Sequence, residues 1–161
     1  MKKALRGFTL IEILIVIGII AILAAIVIVA INPAKQFAQA RNTQRESNVN
    51  TILNAIGQRI ADNKGVFEGT FTVSGNTYHC DELPSPEEDI TDDNGTAATG
   101  NESGDLGCLI PTYIPAMPTE PLGSTADQYT VELLANGRIQ VCAPEGNEPT
   151  IPGSTAICVT R

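Results

Sequence analysis

Glu12 is the first residue of this sequence whose position points to chemistry. It is the only charged residue among the 24 residues 8–31, which are otherwise almost entirely apolar. A carboxylate near the interior of a bilayer costs a few kcal/mol, so a residue of this kind is a functional candidate by default. The alternative is that Glu12 lies at the level of the lipid headgroups and extends to water.

The cysteines are the second group of candidates. An even number permits two disulfides in an oxidising compartment, and four cysteines allow three connectivities. A zinc site is the alternative, but the sequence contains no Cys-x-x-Cys pair. Each disulfide contributes about 2–4 kcal/mol to stability, which matters where only 4% of the residues are aromatic. The four are Cys80, Cys108, Cys142 and Cys158.

The remaining polar residues form no recognisable catalytic centre or phosphate-binding loop. His79 is the only histidine, which excludes a multi-histidine metal site, and its place beside Cys80 favours a structural role. The net charge of -8 argues against a nucleic-acid-binding domain. We therefore predict a protein that is not an enzyme, has no cofactor and no metal, and binds no nucleic acid directly.

Oxygen ligands are dense between residues 81 and 105, a segment with nine acids and no base. Calcium binds such ligands, but no EF-hand pattern fits, because its first ligand position would fall on Ile90. We favour a solvated acidic loop, partly disordered in isolation. The calcium candidates are Asp89, Asp92, Asp93, Asn94 and Asp105.

The charge pattern divides the chain into four segments. Residues 1–7 carry three bases and no acid, residues 8–31 are apolar, residues 32–64 carry both signs, and residues 65–161 hold 15 acids against two bases. At about 1.5 Å per residue, the apolar run would cover roughly 36 Å, enough to cross a hydrocarbon core of about 30 Å. The basic tip would stay in the cytoplasm and the acidic segment would lie outside.

A cleaved secretory signal is the alternative explanation of the apolar run. Such a signal has an apolar region of about 7–15 residues, followed by a cleavage site with small residues. Here residues 13–31 form an uninterrupted run of 19, and Ala24 and Ala25 lie inside it. The pattern therefore favours a retained membrane helix.

The start of the chain combines a basic leader, a Gly-Phe pair and a glutamate just before the apolar run: Lys2, Lys3, Arg6, Gly7, Phe8, Thr9, Leu10, Ile11 and Glu12. With these residues, segment 1–30 resembles the class III signal peptide and N-terminal helix of type IV pilins and pseudopilins. The resemblance implies cleavage between Gly7 and Phe8 by a prepilin peptidase, and N-methylation of the new Phe8 amine. We expect Glu12 to pair with the Phe8 amine of a neighbouring subunit. Many pilins have a helix-breaking proline within the apolar segment, and this chain has none there.

The same resemblance implies an α+β fold of the type IV pilin kind, in which a long N-terminal helix packs on a small antiparallel β-sheet head. A disulfide often closes the C-terminal loop in this family, so the resemblance pairs Cys142 with Cys158, and then Cys80 with Cys108. The expected segments are a leader at 1–7, a transmembrane and assembly helix at 8–31, an amphipathic helix at 32–64, and the head at 65–161 with its acidic loop at 81–105.

Local patterns place the helices. Asn32-Pro33 follows the apolar run, and because Asn favours the N-cap and Pro the first helical position, the helix is predicted to restart or kink there. Apolar residues at i, i+3, i+4, i+7 and i+11 predict one buried helix face. Arg41, Arg45 and Arg59 are expected either to contact acidic heads of neighbours or to form a solvated face. The apolar face comprises Val49, Ile52, Leu53, Ile56 and Ile60.

Short strands are predicted at 69–73 and 76–78, and a final strand at 155–160. Asn136-Gly137 lies between two apolar segments, which is a strong hairpin signal. A two-residue loop would mix polar and apolar residues on each face of the hairpin. A three-residue loop at 135–137 aligns Leu133 with Ile139 and Val131 with Val141, so we favour it.

These features predict a structural subunit of a type IV pilus. Its implied partners are other copies of itself in a helical filament, the prepilin peptidase, the pilus assembly platform with its ATPase, and the inner membrane before assembly. The chain would cross the cytoplasmic membrane once, with its N-terminus in the cytoplasm, and become extracellular in the pilus. The alternatives are a pseudopilin of a type II secretion or DNA-uptake system, and a membrane-anchored surface protein that never polymerises.

Overall fold

The fold is α+β, with two helices followed by short strands in antiparallel sheets. A computed structural model of the chain describes residues 7–91, 104–123 and 128–161. The chain divides into two compact units, Met1–Phe37 and Ala38–Arg161.

Helix α1 covers Leu10–Ile31 and consists almost entirely of large aliphatic residues. It begins two residues later than the predicted segment, because Thr9 is extended (φ -83°, ψ 153°) and caps the helix with its side chain. The helix ends at Asn32, whose backbone is left-handed with φ 47°. The Asn32 carbonyl accepts hydrogen bonds from the backbone N–H groups of Lys35 and Gln36, so a second helix starts at once. The predicted restart at Asn32-Pro33 is confirmed.

Helix α2 covers Pro33–Asp62. The predicted apolar face is confirmed, because four of its five residues are buried in the core and Ile60 is half-buried against it. These side chains pack on apolar residues of the strands, among them Val131 and Val141. The core of the second unit therefore lies between the inner face of α2 and the sheets.

The strands form two antiparallel sheets within the described residues. The predicted first pair of strands is confirmed and makes a two-stranded sheet, β1–β2. The others form a four-stranded sheet in the order β3-β4-β5-β6. The bounds are β1 Gly69–Val73, β2 Asn76–Cys80, β3 Glu88–Asp89, β4 Thr130–Leu133, β5 Ile139–Ala143 and β6 Ile157–Thr160.

The register of the β4–β5 hairpin is the one that the apolar pattern predicts. Val131 pairs with Val141, and Leu133 pairs with Ile139. The three-residue loop is closed by Leu134, whose N–H bonds to the Arg138 carbonyl at 2.9 Å. Both valines are fully buried. The reason is the two-residue period of strands, since a slip by one residue would have turned them to the other face.

Two disulfides link elements of the second unit. Cys142 on β5 and Cys158 on β6 lie directly opposite each other in the ladder and are bonded. Cys80 at the end of β2 is bonded to Cys108, which lies in a short 3₁₀ turn, Gly107–Leu109. These are the pairs that the resemblance implied. The second disulfide joins the two-stranded sheet to the loop that follows the acidic segment.

The expectation that residues 81–105 form only a solvated loop is wrong for part of this segment. Glu88–Asp89 pairs with β4, and Leu83 and Ile90 are buried in the core. These buried positions could not be predicted, because Leu83 and Ile90 are isolated apolar residues in an acidic segment and form no periodic pattern. Thr91 and Asp105 form an isolated parallel bridge, and residues 92–103 lie outside the described residues.

Candidate functional site

The segment before α1 is extended and open to solvent. Residues 7–9 have no helical or strand structure, and Phe8 is 85% exposed. The predicted cleavage point, the peptide bond between Gly7 and Phe8, therefore belongs to non-helical backbone.

Glu12 and Thr9 form a capping box at the start of α1. The Thr9 backbone N–H donates to Glu12 Oε2 at 2.7 Å, and the Thr9 hydroxyl donates to the same oxygen at 2.8 Å. Thr9 Oγ1 also accepts from the Glu12 N–H at 3.3 Å. This role of Thr9 was not predicted from the sequence, although the Thr-x-x-Glu spacing before an apolar run is its signature.

The surface of α1 is apolar along its length except for Glu12 in its first turn. None of its residues is buried, and its mean hydropathy reaches 3.5. By length and composition it is the one helix among the described residues that could cross a membrane. An apolar surface of this size requires lipid or other protein to cover it. The first unit therefore combines a helix that has an exposed apolar surface with a single carboxylate in its first turn.

A buried ion-pair network lies along the N-terminal half of α2, within the second unit. Arg45 has no exposed surface, and its Nε donates to Glu120 Oε1 and Oε2 at 3.0 and 3.1 Å. Its Nη2 also pairs with Glu120, and its Nη1 donates to Glu148 Oε1 at 2.7 Å. Arg41 binds both oxygens of Glu148 at 2.6 Å.

The expectation that Arg45 contacts a neighbouring head or belongs to a solvated face is therefore wrong, because its side chain is fully buried. Arg41 is paired within its own chain but keeps 27% of its side chain exposed. Arg41 and Arg45 neutralise two carboxylates of their own chain, from loops 75 to 107 residues further along. A buried guanidinium needs such partners, because an unpaired buried charge is very costly. The hydrogen bonds from Arg41, helped by Arg45 and opposed by burial, lower the pKa of Glu148 to about 2.

Neutral side chains extend this network. Asn48 donates to the Tyr129 hydroxyl at 2.7 Å and to the Thr119 carbonyl at 3.2 Å. Asn42 donates to the Gly146 carbonyl at 3.0 Å. Burial raises the pKa of Tyr129. Residues 41–48 of α2 thus hold two separate loops, around Glu120 and Glu148, by side-chain hydrogen bonds.

Arg59 at the other end of α2 is also buried, at 3% exposure. It donates to the carbonyls of Phe67 and Gly69 at 3.1 and 3.0 Å, and its guanidinium lies 4.4 Å from the centre of the Phe71 ring. A cation above an aromatic face is attracted by the ring. Its role is to fix the entry into β1, so the expected contact with a neighbouring head is wrong here too.

His79 takes part in local contacts. Its Nδ1 lies 3.0 Å from the Thr70 hydroxyl, and its Nε2 lies 3.2 Å from Asp81 Oδ1. Of the calcium candidates, Asp105 accepts a hydrogen bond from the Gly107 N–H at 2.8 Å. Within the described part of the chain, no three His, Cys, Asp or Glu side chains cluster as a metal site. Residues 92–94 lie outside that part.

Comparison with known proteins identifies the N-terminal segment. Residues 2–28 match the family described as the prokaryotic N-terminal methylation motif. This motif is the class III signal peptide of type IV pilins and pseudopilins. No curated protein and no solved structure matches the chain.

Proposed function

We propose, from the N-terminal methylation motif at residues 2–28, that this chain is a structural subunit of a type IV pilus. The motif implies a structural protein that is processed by prepilin peptidase and assembled into filaments. The observation that carries the proposal is an unburied apolar helix, Leu10–Ile31, that begins with one carboxylate. Copies of such a helix bury their surfaces in the membrane first and against one another afterwards.

Processing occurs between Gly7 and Phe8 in this proposal. The cut removes Lys2, Lys3 and Arg6, the bases that hold the N-terminus in the cytoplasm. It also frees an α-amine at Phe8, which has a reference pKa of about 7.7–8.0 and so is largely cationic at neutral pH. Methylation then adds a methyl group to this amine.

Glu12 is the partner of the Phe8 amine of a neighbouring subunit in this proposal. Both groups would lie in an apolar bundle of helices, where removing one partner of a buried ion pair costs roughly 3–5 kcal/mol. A buried pair of this kind acts mainly on register, because a subunit docked out of register leaves both charges unpaired. The pair would set the position at which each subunit docks.

The two disulfides of the second unit suit an oxidising compartment, and because both the cell exterior and the periplasm are oxidising, they support a position outside the cytoplasm in a pilus and in a pseudopilus alike. The long acidic segment, within a region of 15 acids and two bases at residues 65–161, is the feature that favours an exposed pilus surface. A pseudopilin of a secretion or DNA-uptake system is the second candidate, since the same motif serves both classes.

Intact mass and N-terminal sequencing of protein sheared from the surface of its own cells test this proposal. We expect a chain that starts at Phe8, carries one extra methyl group, and lacks four hydrogens because of two disulfides. Recovery in the sheared fibre fraction supports a pilus, and recovery only from the periplasm supports a pseudopilus. An unprocessed chain confined to membranes would show that it is a simple anchor.

A further inference from the structure

Thr9 occupies one side of the Glu12 carboxylate. Its N–H and its hydroxyl both donate to Glu12 Oε2, at 2.7 and 2.8 Å. No group among the described residues bonds to Glu12 Oε1. A carboxylate has about four lone-pair positions, so Thr9 fills those on one oxygen and leaves the other oxygen open.

We infer that Thr9 is a positioning residue that holds Glu12 with Oε1 presented to the amine of an incoming subunit. This inference rests on the proposed function, because it assigns the geometry of the same assembly site. An unrestrained glutamate has three side-chain torsions to fix, and fixing a long side chain of this kind costs conformational entropy. The capping box fixes them before docking, so that less conformational freedom is lost when the subunits meet.

The capping box also survives processing. Cleavage between Gly7 and Phe8 leaves the Phe8–Thr9 peptide bond intact, so the Thr9 N–H remains a donor. The new amine is one residue away and makes none of the three hydrogen bonds of the box. Thr9 therefore serves the precursor and the mature chain in the same way.

The two hydrogen bonds also make a carboxylate tolerable in an apolar setting before assembly. Hydrogen bonds to a charged group are more stabilising than hydrogen bonds between neutral groups. The Thr9 N–H would otherwise be one of the unsatisfied donors at a helix start. In a single subunit, Thr9 thus provides the hydrogen bonds to Glu12 Oε2, and Glu12 Oε1 stays available as an acceptor for a partner.

Three variants of the full chain test this inference in its own cells. Thr9→Val keeps the shape and the backbone N–H but removes the hydroxyl, and Thr9→Ser restores a hydroxyl. We expect Thr9→Val to be cleaved but to yield roughly tenfold less fibre per processed subunit, in line with the loss of one charge-assisted hydrogen bond. We expect Thr9→Ser to recover most of the fibre yield.

The third variant, Glu12→Gln, shows whether Thr9 acts through the carboxylate. The double variant with Thr9→Val and Glu12→Gln should yield as much fibre as Glu12→Gln alone, because the charge that Thr9 positions is already absent. A full additional loss in that background would overturn the inference, as would normal fibres from Thr9→Val alone.

A measurement without fibres separates this inference from the proposed function. Amide hydrogen exchange at Thr9 is compared between the full chain and its Glu12→Ala variant in lipid bilayer discs. We expect exchange at Thr9 to be at least tenfold slower when Glu12 is present, with no change at amides in α2 beyond Ala38. Equal exchange rates would overturn the positioning role even if fibres form. Slow exchange in a chain that never forms fibres would refute the proposed function alone.

Discussion

Arg45 and Glu120 form an ion pair with almost no contact with solvent. The Arg45 side chain is 0% exposed and the Glu120 side chain 3% exposed, and Arg45 donates to both carboxylate oxygens. The arginine belongs to α2, and the glutamate lies 75 residues further along the chain. This pair therefore fixes a loop of the head at one position on the helix, because its hydrogen bonds are directional and apolar contacts are not.

Replacing Arg45 by methionine should destabilise the second unit strongly. Arg45→Met leaves Glu120 buried without its cation, and loss of one partner of a buried pair costs roughly 3–5 kcal/mol. Chemical unfolding of the full chain in detergent measures the loss. Arg138→Met is the matched control, because Arg138 is exposed and should change stability by less than about 0.5 kcal/mol. Equal effects of the two substitutions would contradict a special role of the buried network.

Acid should weaken the fold through Glu148. Its pKa is lowered from 4.5 to about 2 by Arg41 and Arg45, so the folded state holds this group charged when the unfolded chain already binds a proton. The stabilisation is complete above pH 4.5 and is lost as the pH falls towards 2. It amounts to about 3 kcal/mol for this shift, since the side chain is buried.

Stability measured at several pH values checks the role of Glu148. Glu148→Gln should be less stable at neutral pH and should have a flatter pH dependence between pH 5 and about 2. Glu145→Gln is the control, because within the described residues Glu145 forms no ion pair with an arginine. If Glu145→Gln flattens the curve as much as Glu148→Gln does, the acid sensitivity has another origin.

Two glycines should respond to alanine in opposite directions. Gly104 has φ +88°, and a Cβ there would come within 2.3 Å of the Asp89 carbonyl oxygen, so Gly104→Ala must disturb the backbone beside β3. Gly57 is exposed on α2 with open space around it, and Gly57→Ala should stabilise the helix by up to about 1 kcal/mol. Thermal unfolding of the two variants compares them directly. Stabilisation by Gly104→Ala would refute the close approach.

Glu12→Ala should be cleaved and inserted in the membrane but should assemble poorly. The cleavage point precedes Glu12 and the apolar helix is unchanged, so neither processing nor insertion needs the carboxylate. Assembly lacks the partner of the Phe8 amine. Glu46→Ala is a control on an exposed residue of α2 and should form normal fibres. Electron microscopy of sheared fractions counts the fibres, and normal fibres from Glu12→Ala would refute the register role of Glu12.

Much of the fold follows from periodic apolar residues. The face of α2 that contains Ile52 and Ile56 is buried, as its helical spacing predicts, and the β4–β5 register follows from the two-residue period of Val131 and Leu133. Thr9 also had a local signature, in the spacing of the capping box. These features depend on residues that are close in sequence, so the pattern itself specifies them.

The network around Arg45 could not be predicted in the same way. Its partners Glu120 and Glu148 lie 75 and 103 residues away, and no local period connects an arginine with glutamates at such distances. The burial of Ile90 could not be predicted for a related reason, because a single apolar residue among acidic ones forms no periodic pattern. Its burial follows from the pairing of Glu88–Asp89 with β4, which is a tertiary fact.

The internal use of Arg41, Arg45 and Arg59 has a consequence for how copies of the protein meet. With these cations paired within their own chain, carboxylates outnumber cations on the described surface of the second unit. Like-charged surfaces repel over about 30 Å at 0.01 M salt but only about 10 Å at 0.1 M. Ionic strength then becomes a control on the spacing of neighbouring fibres, which would stay dispersed in fresh water and draw together in brine. The exposed acids are Glu46, Asp62, Glu68, Glu82, Glu87 and Asp89, and the exposed bases are Lys64, Arg138 and Arg161.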